Sequence, residues 1–222
     1  MVNKTNLAKI IPVVATSMFL NPALAQDCNI TSSLELANSF TNKVGIITSD
    51  EPITQPKVIV KCGSNIFYGT QVNKIENGKD FTLFGAKKNF KINEDLKVNF
   101  GIEKLHTYGN NKTSNIVYGG VSYNGPVNIE VSHNKFIDSD KSFIKFDFSK
   151  SFQINNDLKI KGNIGYVDIK GFNEKLDNKN RIYGGLGLEY ELNKNTKLFA
   201  NFEKQITPFE NTKFGVRISH TF

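Results

Sequence analysis

The stretch Lys213-Phe214-Gly215-Val216-Arg217-Ile218-Ser219-His220-Thr221-Phe222 alternates apolar and polar side chains to its last residue. A strand sends successive side chains to opposite faces, so Phe214, Val216, Ile218 and Phe222 share one face. Lys213, Gly215, Arg217, Ser219 and Thr221 share the other. One face is oily and the other wet. The same two-residue rhythm recurs upstream. In 181–192, Ile182, Leu186, Leu188, Tyr190 and Leu192 oppose Arg181, Tyr183, Glu189 and Glu191. In 142–153, Ile144, Phe146, Phe148 and Phe152 oppose Lys145, Asp147, Ser149 and Gln153, and in 95–107 Leu96, Val98, Phe100 and Ile102 oppose Lys97, Asn99 and Glu103.

The N-terminus reads as an export signal. Lys4 and Lys9 precede a short apolar stretch, Ile10 to Leu20, and Ala23-Leu24-Ala25 is a small-x-small cleavage site before Gln26. That stretch is too short to span a bilayer as a helix, and Pro12 within it and Pro22 just after it interrupt the run. Residues 1–25 are therefore expected to be a cleaved signal peptide, and 26–222 a single domain. The full chain carries a net charge of +7; loss of Lys4 and Lys9, with no acid among residues 1–25, leaves +5. No basic block concentrates that charge, which argues against a nucleic-acid partner. No other apolar run approaches helical spanning length, and a sheet can live in lipid only as a closed barrel.

Strands are expected at 32–41, 55–62, 65–74, 80–91, 95–107, 115–124, 126–136, 142–153, 157–169, 181–192, 196–207 and 212–222. This predicts an all-β fold, a single antiparallel transmembrane barrel of about twelve strands, or ten if the first two do not span. Short connections at Gly63-Ser64, Ile92-Asn93-Glu94, Gly125, Ile154-Asn155-Asn156 and Asn193-Lys194-Asn195 alternate with longer ones at 42–54, 108–114, 137–141 and 170–180. Bacterial barrels keep short turns in the periplasm and long loops outside, so both termini are expected to be periplasmic. The predicted location is the outer membrane of a Gram-negative bacterium. Its partners would be outer-membrane lipid and lipopolysaccharide, the barrel assembly machinery and small polar solutes.

The charges on the apolar face, Lys88, Lys104, Lys150, Asp168 and Lys204, fall near strand ends, where a lipid-facing lysine costs only about 0–1 kcal/mol. Without tryptophan, the interfacial aromatics must be residues such as Phe90, Tyr108, Tyr123, Tyr166, Tyr190 and Phe222. On the wet face, Lys97, Lys145, Lys159, Lys161, Lys197, Lys213 and Arg217 face a lumen shared with Glu103, Glu130, Asp147, Glu189 and Glu203. This mixed lining suits a water-filled or internally paired lumen and requires no reaction. Ser132 and His133 point to opposite faces, and His106, His133 and His220 lean toward lipid or the rim, so no catalytic residue, metal or cofactor is assigned. Cys28, ahead of the first strand, and Cys62, at the end of the second, would both lie at the periplasmic rim, where a disulfide is expected. The reading is a porin-like channel. The alternatives are a plugged structural or adhesive barrel acting through its external loops and, less favoured, a barrel lipase.

Val44-Gly45-Ile46-Ile47-Thr48-Ser49-Asp50-Glu51-Pro52-Ile53-Thr54-Gln55 resembles the first loop of the TorF family of porins. Asn65-Ile66-Phe67-Tyr68-Gly69 resembles that family's next strand, and Thr107-Tyr108-Gly109 is similar to its Thr-Tyr-Pro-Gly loop. Val44 stands where the family often has arginine, and Gly69-Thr70-Gln71-Val72-Asn73 replaces a tryptophan-containing strand. The resemblance implies a small outer-membrane channel and transfers no ligand-binding position. The terminal aromatic, Phe222, resembles the signal by which such barrels are recognised for assembly.

Overall fold

The computed structural model describes residues 28–39, 51–75, 78–109, 111–172, 180–207 and 211–222. The export segment expected at 1–25 and most of the connections expected at 42–54 and 170–180 lie outside them. Twelve strands run β1 Cys28–Ala37, β2 Ile53–Cys62, β3 Asn65–Lys74, β4 Gly78–Lys91, β5 Leu96–Thr107, β6 Lys112–Tyr123, β7 Asn128–Phe136, β8 Ser142–Gln153, β9 Leu158–Lys170, β10 Arg181–Asn193, β11 Thr196–Thr207 and β12 Asn211–Thr221. Each pairs antiparallel with its neighbours in sequence, and β1 pairs with β12 to close the barrel. Closure removes every sheet edge, so the ladder groups of the wall are paired within it.

β3, β8 and β11 have the expected bounds. β1 starts four residues earlier than expected, at Cys28, and Cys28 is its first residue rather than a residue preceding it. The cause is long-range pairing: the antiparallel ladder with β2 runs unbroken from Ala37↔Ile53 to Cys28↔Cys62, through a stretch too polar to show alternation. β6 likewise starts at Lys112, which shortens the connection expected at 108–114.

The short turns gather at the end that also holds Cys28 and Phe222. Three of them share one device. The side-chain oxygen of Asn93 accepts the amides of Asp95 (3.0 Å) and Leu96 (2.7 Å), Asn155 accepts those of Asp157 (3.0 Å) and Leu158 (2.9 Å), and Asn193 those of Asn195 (3.0 Å) and Thr196 (2.9 Å). Each asparagine thus replaces a backbone acceptor while the chain reverses. A fourth turn uses Gly63 at φ 58°, a conformation costly for a residue with a Cβ. At the seam, the Phe222 amide donates to the Ile30 carbonyl at 2.9 Å.

The outward face carries the apolar band. Phe67, Phe84, Phe100, Ile102, Ile164, Leu186 and Phe214 are each at least half exposed on a sheet that a soluble protein would bury. Phe90, Tyr123, Tyr190 and Phe222 are exposed near the turn-bearing end, where amphipathic rings suit the interface.

Candidate functional site in the barrel lumen

Inward-facing residues form two tiers of opposite character. In the tier nearer the termini, β5, β7, β8, β9, β10, β11 and β12 present polar side chains to a cavity of about 650 Å³ lined in part by Lys97, Glu130, Asp147, Lys161, Glu189, Glu203 and Arg217. A second cavity of about 530 Å³ is lined by Glu103, Glu130 and Lys145 together with Lys57, Tyr68 and Tyr118. Lys87, Asn99 and Glu130 line both, so the two spaces adjoin.

Lys159, Lys197 and Lys213 line neither cavity. Lys197 is held by Glu189 at 2.7 Å and approaches Glu191 at 3.8 Å. Lys213 pairs with Glu35 at 2.6 Å, with only about a tenth of either side chain exposed. Lys159 lies opposite Glu189 in the β9–β10 register.

Ion pairs and hydroxyls engage the acids more than the bases. Glu130 and Asp147 are direct cross-strand neighbours, an unfavourable pairing of like charges. Lys145 lies 2.8 Å from Asp147, and the Tyr183 hydroxyl donates to that same carboxylate. Glu103 accepts from Tyr68, whose hydroxyl lies 3.1 Å from that of Tyr118. These rings are seated by glycines on the adjacent strand: a Cβ on Gly85 would overlap Tyr68, and one on Gly165 would overlap Tyr183. On β2, the strand next to that of Tyr68, Lys57 lies in the fields of Arg217 on β12 and Lys87 on β4. The Arg217 guanidinium also stacks on Phe199, 4.2 Å from the ring centre.

Glu35, Lys57, Lys87 and the tyrosines were missed as site residues in the sequence. Parity alone would have found Lys57 and Lys87, which share faces with Gln55 and Asn89.

In the outer tier the lining becomes apolar. Ile116, Phe136, Phe143, Val167, Ile169 and Tyr183 form one buried inward-facing cluster on β6 to β10. Ala37, Ile53 and Val72 form a second on β1 to β3. Neither cavity is lined by a residue of these clusters. Outward positions on the same strand ends are polar, including Lys104, Asn115, Lys135 and Lys170, all exposed. His106 bonds Thr113 at 3.0 Å and His220 bonds Thr196 at 2.9 Å, while His133 is an exposed cross-strand partner of Ile144. Ser132 lines the second cavity, and no histidine lines either one.

Cys28 and Cys62 form a disulfide, with Cα atoms 4.3 Å apart, that clamps β1 to β2 at the end bearing the termini. Among the described residues no cluster of metal-ligating side chains occurs.

Neither a protein-family model nor a curated protein sequence matches the chain. Its fold is that of small outer-membrane porins. KdgM, solved as a porin in complex with disordered oligogalacturonate, superposes with a TM-score of 0.60 at 12% identity, over 87% of this chain and 99% of that one. The NanC porin gives 0.63 at 10% identity, over 85% and 98%. The COG4313 outer membrane channel from Pseudomonas putida F1 gives 0.56 at 9% identity, over 87% and 95%.

Proposed function

We propose that the chain is an outer-membrane channel for passive diffusion of small polar solutes. In this reading residues 1–25 export it and are removed, the short turns face the periplasm, and the barrel is a member of the TorF porins. One observation carries the proposal: adjoining polar cavities run inside a closed wall whose outer surface is apolar. Lipid outside and water inside is the arrangement of a pore.

The fixed charges favour anions. Lys145, Lys197 and Lys213 pair with Asp147, Glu189 and Glu35, which leaves Lys57, Lys87, Lys97, Lys161 and Arg217 on the cavity walls against Glu103, Glu130 and Glu203. Lys57, Lys87 and Arg217 are gathered on one wall. Low-dielectric walls focus such a field on a passing ion. The likeness to a porin solved with oligogalacturonate, an acidic oligosaccharide, agrees in sign. Purified protein in planar bilayers should give a small conductance with a reversal potential weakly favouring anions, moved toward cations by Lys161→Glu and Arg217→Glu. Clear cation preference in the unaltered protein would defeat the charge assignment. Complete absence of channels would select a second reading, a structural barrel, which the apolar outer tier favours.

A further inference from the structure

The apolar outer tier holds one charge that the rest of the lumen does not explain. Arg181 opens β10 and faces inward, its side chain 0% exposed. Its Nε, Nη1 and Nη2 are all buried, and none has a hydrogen-bond partner among the described residues. Its cross-strand neighbour is Val167, and Tyr183, two residues along, belongs to the same apolar cluster. A guanidinium offers five donors in a fixed fork, accepts nothing and keeps its charge. In water-free surroundings such a group is costly unless an acceptor completes it. Asp147, the carboxylate that Tyr183 of this tier contacts, is already engaged by Tyr183 and Lys145.

We infer that Arg181 is an anion site at the apolar constriction, taking one small inorganic anion of halide size. The site is enclosed, so an entering anion must part the apolar contacts around it. Charge compensation offsets the cost of that parting. An anion would therefore loosen the tier that a cation or neutral solute meets closed, and apolar constrictions of this kind gate by excluding water. The gating role rests on the channel reading above; the anion site does not.

The test uses the full chain folded in lipid, with potassium bromide compared with potassium gluconate at equal ionic strength. Bromide should raise the thermal unfolding midpoint of the unaltered protein and leave that of Arg181→Met unchanged. Met fills similar space, and replacing a buried charge by a hydrophobe is often neutral or stabilising, so the variant should fold. Arg181→Lys should keep the response with an affinity about tenfold weaker, having lost the fork. Equal bromide responses in the unaltered protein and Arg181→Met would overturn the site. Bromide anomalous density at the guanidinium in crystals would support it, whereas a carboxylate of the chain in that place would overturn it. In bilayers, Arg181→Met should lose anion preference. If bromide stabilises through Arg181 and no channels form, the anion site stands and the channel reading falls. If channels form and Arg181→Met keeps the original reversal potential, the channel reading stands and the gating role falls.

Discussion

The lower wall of the barrel and its outer tier follow the same backbone pattern with opposite polarity. Along β9, Ile160 and Ile164 point out and Lys161 and Asn163 point in; a few residues later Asp168 and Lys170 point out while Val167 and Ile169 are buried inside. β5 makes the same exchange between Ile102 outside with Glu103 inside and Lys104 outside with Leu105 inside. Side-chain period is fixed by the strand, so the exchange reports a change of solvent rather than of structure. Where lipid surrounds the wall, apolar groups belong outside. Beyond the bilayer the outside is water, and the interior becomes an ordinary packed core.

The largest effect that could break this comparison is a charge placed in the outer core. Ile169→Asp would bury a carboxylate where Ile169 is 0% exposed, and it should destabilise by about 4 kcal/mol or more. Val167→Asp should cost distinctly less, because Val167 faces Arg181 in register and the new carboxylate would meet an unpartnered guanidinium. Urea unfolding in lipid vesicles reads both. If both substitutions were tolerated without loss, the outer interior would be wet and the inversion illusory.

A smaller effect sharpens where the boundary lies. Ile164, 62% exposed on the outer face of β9, should meet the hydrocarbon, so Ile164→Lys should cost about 2–4 kcal/mol. Lys104→Ile, on the polar side of the boundary, should change stability by no more than about 0.5 kcal/mol. Equal costs in the same unfolding assay would mean that the band has been drawn at the wrong height.

The inversion also explains what could be read from the chain. In the belt, where lipid and water lie on opposite sides, alternation is clean, and β3, β8 and β11 could be bounded from it. In the outer tier the pattern still alternates with the phase reversed, so Asp168 and Lys104 looked like strays on an oily face when they mark its upper edge. Glu35 was hidden for another reason. It falls within the strand expected at 32–41, but its cross-strand neighbours Gln55 and Arg217 come from the register with β2 and β12, which no local pattern reports. Arg181 shows on the wet face by parity, but nothing local says that its surroundings are dry, since Val167, Phe143 and Ile116 reach the same tier from other strands, through pairing and packing.

The smallest effect on equilibrium stability concerns Phe222, at the opposite end from the outer tier. Its ring is 72% exposed and packs edge-on against His220, 4.6 Å between centres, while its amide closes the seam onto Ile30. Backbone and ring can therefore be separated. Deleting Phe222 removes both, whereas Phe222→Ala keeps the amide and the seam bond, worth about 0.5–1.5 kcal/mol. If the ring is an assembly signal, Phe222→Ala should lower outer-membrane insertion in cells nearly as far as the deletion does, with export to the periplasm unchanged. The same Phe222→Ala protein folded into lipid in vitro should show the heat-modifiable gel mobility of the unaltered barrel. Normal insertion of Phe222→Ala beside poor insertion of the deletion would assign the role to the seam bond instead. The terminal aromatic would then be only one more ring at the interface.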